Sequence, residues 1–290
     1  MFGSRERVAF AAVALTLALG ACGGQEWPKP VSTVGPVSPK VLLASLRTTK
    51  ALKTARVSLR ASVSGFGAAS GGITVDGVTD FVTGSGEMTM HYTGAPSTVY
   101  SGALYARVVG GVTYMQIPKP LPNNGMWQDF ASPNPQGPVE LGFSDPTKAL
   151  AYLKLVANGL RAVGIDDIRG VEATHYKAVV DLGQVLARNS RIAPALKAQL
   201  GRLFQTGAPG GFKVAVDVWI DGSGLLRRSD VTMDLSAIAR AAGAPAGEAP
   251  IVTIDMDLYD YGASVDVKAP PADQTVPYSS VGSSSLGASS

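Results

Sequence analysis

The chain has 290 residues, 46% of them hydrophobic, and 25 basic side chains nearly balance 22 acidic ones for a formal net charge of +3. That balance leaves no basic footprint for a nucleic acid, so none is expected as a partner. One cysteine and two histidines, His91 and His175, set far apart in sequence, make a His/Cys metal site improbable; the carboxylates lack EF-hand-like spacing, and no cofactor is expected.

Residues 1–21 have the three-part build of an export signal. Arg5 and Arg7 form a basic start, Val8 to Leu19 form an apolar run, and small residues follow before Cys22. The run is too short for a spanning helix, which needs about 20 residues. Leu19-Gly20-Ala21-Cys22 reads as a lipobox, which makes Cys22 the expected lipidation site. Two or three acyl chains, at about 0.8 kcal/mol per buried methylene, anchor stably where one is marginal. The expected product is tied to the outer face of the cytoplasmic membrane. Removing Arg5, Glu6 and Arg7 lowers its formal net charge to +2. With Cys22 used as the anchor, no thiol is left for a disulfide, so a hydrophobic core must carry stability.

Residues 22–38, rich in Gly, Pro, Ser and Thr, read as the acylated cysteine and a tether. A folded domain is expected over 39–268, and a polar, disordered tail over 269–290. The domain opens on a short helix, Pro39 to Thr49. Strict alternation over Val57–Val63 predicts a half-buried strand, and Ile73–Phe81 another, with Asp76-Gly77 as a turn or bulge inside it. Met88, Met90 and Tyr92 alternate with polar residues. Ser97–Val109 and Val112–Ile117 are joined by the tight-turn pair Gly110-Gly111. A Pro/Asn/Gly loop, Pro118–Pro138, holds Trp127.

Asp145-Pro146 starts a second helix, with aspartate able to cap and proline preset for the first helical position. It runs to Gly159 and carries Tyr152, Leu153 and Val156. Strands resume at Leu160–Asp166 and Val171–Asp181. Leu182–Phe204 is helical but interrupted at Pro194. Phe212–Asp221 and Leu225–Leu235 form a hairpin, and Ile251–Gly262 closes the domain. About ten strands joined by short turns favour an antiparallel meander, and a sheet of that width curls. The expected class is α+β: a strongly curved antiparallel sheet, an incomplete barrel, with helices covering its concave face.

The second half reads Gly170-Val171-Glu172-Ala173-Thr174-His175-Tyr176, then Val216-Asp217-Val218-Trp219-Ile220-Asp221 and Gly224-Leu225-Leu226-Arg227-Arg228. These segments resemble those of the actinobacterial LppX/LprG-type lipoproteins, over about Val41 to Tyr261. Ala173 departs from the pattern, where threonine is commoner. The resemblance implies a LolA-like barrel around a hydrophobic cavity. It implies an activity of holding and moving the acyl chains of lipids or glycolipids, with no catalytic residue.

On this reading Met88, Met90, Tyr92, Tyr105 and Tyr114 line the ligand-binding face, together with Tyr152, Leu153 and Val156 from the covering helix. Flexible thioethers and aromatic rings suit acyl chains of varied shape. The alternative is the same fold with a filled core, serving as a cell-envelope interaction or sensor protein. His175 invites a catalytic reading, but its strand neighbours point away from it, and a structural hydrogen bond is expected instead. Asp217 and Asp221 lie about 13 Å apart on a strand, too far for a glycosidase-type pair, and solvated or turn roles are expected. Arg227 and Arg228 read either as head-group contacts or as charge guarding an edge strand.

Overall fold

The computed structural model describes residues 35–65, 70–94, 102–116, 125–130, 159–181, 213–241 and 249–277. In these, alternating sequence becomes one sheet of thirteen strands. In chain order they are β1 (Gly35–Pro36), β2 (Thr54–Ser64), β3 (Gly71–Asp80), β4 (Gly86–Gly94), β5 (Ala103–Val109), β6 (Val112–Gln116) and β7 (Trp127–Asp129). The second half supplies β8 (Arg161–Ile168), β9 (Val171–Asp181), β10 (Lys213–Asp221), β11 (Leu226–Asp234), β12 (Ile251–Tyr259) and β13 (Thr275–Pro277). The spatial order is β1-β8-β9-β10-β11-β12-β2-β3-β4-β5-β6-β7-β13, so the sheet is open, with β1 and β13 as its edges. All pairings are antiparallel except that of β13 with β7.

The ten strands read from the sequence are all present. The three additions, β1, β7 and β13, have two or three residues each, too few to show a period. β13 pairs with β7 within the segment expected as tail. β3 runs unbroken through Asp76-Gly77, which pair with Ser58 and Val57 on one side and Thr89 and Met88 on the other. Gly77 makes a close approach there rather than a turn. A Cβ on it would lie 2.2 Å from the Glu87 carbonyl oxygen and 2.9 Å from Met88 Cγ.

Helix α1 (Lys40–Ala51) matches the opening helix, and it buries Leu42, Ser45, Leu46 and Thr49. That spacing places all four on one side of the helix. A six-residue helix, α2 (Ser236–Ala241), follows β11, its start fixed by Ser236 N–H donating to Asp234 Oδ1 at 2.8 Å. The helices expected over 145–159 and 182–204 lie outside the described residues, so helical cover of the apolar face is seen only in α1.

The connections are unequal at the two ends of the sheet. At one end lie the tight ones: α1 to β2, β3 to β4, β5 to β6, β8 to β9, and β10 to β11. Gly110 and Gly111, both at positive φ, make the two-residue turn that their sequence predicts. At the other end lie the long ones, including 182–212 between β9 and β10 and 235–250 between β11 and β12.

Candidate ligand-binding face

Strand alternation divides the sheet into an apolar face and a polar one. Ala55, Val57, Leu59 and Ala61 of β2, Val75 of β3, Met88 and Met90 of β4, and Met256 and Leu258 of β12 fall into one buried cluster with Leu42 and Leu46 of α1. The cluster extends across Val214, Val216, Val218 and Ile220 of β10 to Tyr176 and Ala178 of β9. Every one of these positions sits on the same face by register.

Burial along this face is graded. On β2, exposure rises from 0% at Ala55 through 1% at Val57 and 3% at Leu59 to 8% at Ala61. Val63, the next inward residue, is half-buried. The same gradient runs along β4, from buried Met88 and Met90 to half-buried Tyr92, and along β11 and β12 to Val231, Met233 and Ile254. The closed end is the end of tight turns, where α1 packs. The less covered end is where the long connections leave the sheet.

The register places the sequence-predicted residues plainly. Met88, Met90 and Tyr92 lie on the apolar face, opposite Gly77, Val75 and Ile73. Tyr105 pairs with Thr89 and Tyr114 with Arg107, so both belong to the polar face, and Tyr105 is 45% exposed. This corrects their placement. A one-residue step along a strand reverses the side chain, and the inward residues here are Leu104, Ala106 and Met115. Tyr152, Leu153, Val156 and Cys22 lie outside the described residues. Trp127 sits in β7 rather than a loop and is buried, with the Arg107 guanidinium 4.9 Å from its ring centroid.

The polar face holds a charged network that the sequence alone did not assemble. His175 Nε2 lies 2.6 Å from Asp217 Oδ1, and His175 Nδ1 lies 3.3 Å from Asp166 Oδ2. Its ring stacks on Trp219 at 4.2 Å, and the Trp219 indole N–H donates to Asp166 Oδ2 at 2.7 Å. The expected structural hydrogen bond of His175 is present, supplied by residues on neighbouring strands. Asp217 is not simply solvated: it holds His175 and also Lys177, at 3.3 Å. Asp221 does have the expected turn role, accepting from the Ser223 and Leu225 backbone N–H groups. It is buried, however, and also binds Arg227 Nε at 2.6 Å.

Arg227 and Arg228 do not guard an edge, since β11 lies between β10 and β12. Arg228 donates two hydrogen bonds to Asp257, and Arg169 donates a third at 2.8 Å. Burial alone would raise the Asp257 pKa, but the hydrogen bonds and charges of the two arginines outweigh it and hold the carboxyl below its ordinary range. One row further along, Asp230 lies between Asp217 and Asp255. Burial first, then the Asp255 charge, pushes its pKa up to about 7, and its Oδ1 is buried with no hydrogen-bond partner. Adjacent strands bring these residues together over sequence separations that no local spacing reveals.

No protein-family profile matches the chain. An uncharacterized 31.2 kDa protein from the rplA–rplJ intergenic region of Streptomyces griseus is 29% identical over 138 residues. That match spans 47% of this chain and 39% of the length of its relative. Among solved structures, the chain is similar to LprF from Mycobacterium bovis, at 18% identity and a TM-score of 0.45 over 80% of this chain and 96% of that one. It is also similar to the Mycobacterium tuberculosis lipoprotein LppX, at 17% identity and a TM-score of 0.43 over 80% of this chain and all of that one. A LolA superfamily protein from Nitrosomonas europaea aligns at 8% identity and a TM-score of 0.30, over 82% and 97% of the two chains.

Proposed function

We propose that this protein is an extracytoplasmic lipoprotein, anchored through Cys22, that binds the acyl chains of lipids or glycolipids against the apolar face of its sheet and carries them. The observation that carries the reading is the graded burial of that face, sealed by α1 at one end and only half-covered at Val63, Ile73, Tyr92, Met233 and Ile254 at the other. β1 pairs with the start of β8 and runs antiparallel to it, so the chain passes through β1 toward the less covered end before α1 begins.

The mechanism is reversible burial. An acyl chain leaving a bilayer for an apolar face gains and loses nearly the same hydrophobic contact, so uptake and release lie close to balance. No side chain needs to act as an acid, a base or a nucleophile. Protein extracted gently from membranes and weighed by native mass spectrometry is expected to carry bound lipid, identified after organic extraction. A single apo mass before any delipidation would overturn the reading.

A further inference from the structure

A second concavity lies at the closed end of the sheet, where the polar face meets the β8–β9 turn. β11 and β12 stay paired up to Arg228 and Asp257, after which β12 continues alongside β2 alone. A cleft of about 230 Å³ opens where the two strands part, with Leu258, Tyr259 and Asp260 on one side and Arg227 on the other. The β8–β9 turn closes over it. Ile168 packs with Ala173 and Trp219 on this face, and Arg169 reaches Asp257 on β12.

Two guanidinium groups therefore line one cleft, and both are held in place. A register shift between Trp219 and Ile220 makes Arg227 the extra residue of a β-bulge, a device that re-aims a side chain. Arg227 Nε is bound by Asp221 at 2.6 Å, and the guanidinium lies 5.2 Å from the Tyr261 ring centroid. Arg169 Nε is bound by Asp257 at 2.8 Å, with its guanidinium 4.1 Å from the Tyr259 ring centroid. Asp257 is shared, since Arg228 binds it too, so three arginines face two carboxylates. Each lining arginine is anchored through Nε, and among the described residues neither makes a hydrogen bond through its Nη groups. Fixed, forked donors of this kind match the oxygens of a phosphoryl or carboxyl group. Asp260, the one acidic residue in the lining, is exposed and leans toward Arg56 at 3.4 Å.

We propose that this cleft is an oxyanion-binding site, in which Arg169 and Arg227 clamp a phosphoryl or carboxyl group. The anion has two possible sources, a lipid head group or a free phosphate-bearing solute.

The test is titration of the full chain with inorganic phosphate, read by calorimetry, and with vesicles of phosphatidylcholine containing phosphatidic acid, read by co-sedimentation. Arg169→Gln and Arg227→Gln are each expected to weaken phosphate binding about tenfold, with Arg60→Gln, on the same face but outside the cleft, as the unchanged control. Because Arg227→Gln also removes the partner of buried Asp221, Asp260→Asn serves as the independent variant. It leaves both arginines anchored and is expected to tighten phosphate binding several-fold. Vesicle binding that falls in the same variants, and is displaced by phosphate, identifies a head group. Phosphate binding that responds while vesicle binding does not identifies a free solute. Phosphate affinity that is unmeasurable, or equal in all four variants and the parent chain, would overturn the site.

Discussion

Thr49 and Leu226, 177 residues apart in sequence, are joined by a hydrogen bond from the Leu226 backbone N–H to Thr49 Oγ1 at 3.0 Å. The Tyr261 hydroxyl donates to the carbonyl of the same leucine. The bulge in β10–β11 interrupts the ladder beside Leu226, and these two side chains satisfy the buried backbone there. The contact also fastens the end of α1 to the sheet, which is how the closed end of the apolar face is made.

Thr49→Val keeps the shape of that contact and removes its acceptor. The variant is expected to lose about 1–3 kcal/mol of stability, the cost of leaving a buried N–H unpaired. Tyr261→Phe, which unpairs only the carbonyl, is expected to cost less. Urea unfolding followed by Trp fluorescence measures both, and two variants as stable as the parent would show that α1 is not held through Leu226.

Gly77→Ala places a methyl group 2.2 Å from a backbone oxygen of β4, a clash that no side-chain rotation relieves. About 1–3 kcal/mol of destabilisation is expected, as for overpacking of a tight core. Met88, which fills the space over Gly77, should shift with it, visible as a changed methionine methyl resonance. An unperturbed spectrum and an unchanged unfolding midpoint would contradict the close approach.

Asp230 ties stability to pH. Its folded pKa, about 7, lies above the ordinary carboxyl value, so the folded state binds the proton more tightly than the unfolded chain does. The stability this contributes is complete below about pH 4 and is lost as pH rises through 7. Asp230→Asn removes the titration. Relative to the parent chain, the variant is expected to gain on the order of 2–3 kcal/mol between pH 5 and pH 8. Parallel denaturation curves at the two pH values decide it, and a difference that does not change with pH would refute the assignment.

The two faces predict opposite results for lipid loading. Met233→Asp puts a charge on the half-buried end of the apolar face and is expected to lower co-purified lipid several-fold. Tyr105→Ser, on the polar face, is expected to leave the load unchanged. Lipid per protein after extraction, alongside circular dichroism to confirm folding, measures the contrast. The reverse result would place the ligand on the other side of the sheet.

Much of the architecture was legible along the chain. Val57–Val63 alternates strictly, Gly110-Gly111 and Arg169-Gly170 occur where tight turns form, and Val252, Ile254, Met256 and Leu258 fall on one face as their period requires. Tyr105 and Tyr114 were misplaced because hydrophobicity does not separate a tyrosine from its inward neighbours Leu104 and Met115. Only pairing with β4, through Met90–Leu104 and Met88–Ala106, fixes which residues of β5 point inward. β7 and β13 escaped because three residues cannot display a period.

The primary structure by itself determined the ten longer strands and the tight turns between them, because each is written in neighbouring residues. Tertiary structure alone decided that His175 meets Asp217, that Asp230 is crowded by Asp255, and that Arg169 joins Arg227 at one cleft. These partners stand on separate strands or, for Arg169, on the β8–β9 turn. Sheet pairing brings them within hydrogen-bonding or Coulomb range although dozens of residues of chain divide most of them, and local sequence carries no record of which strand will lie beside which.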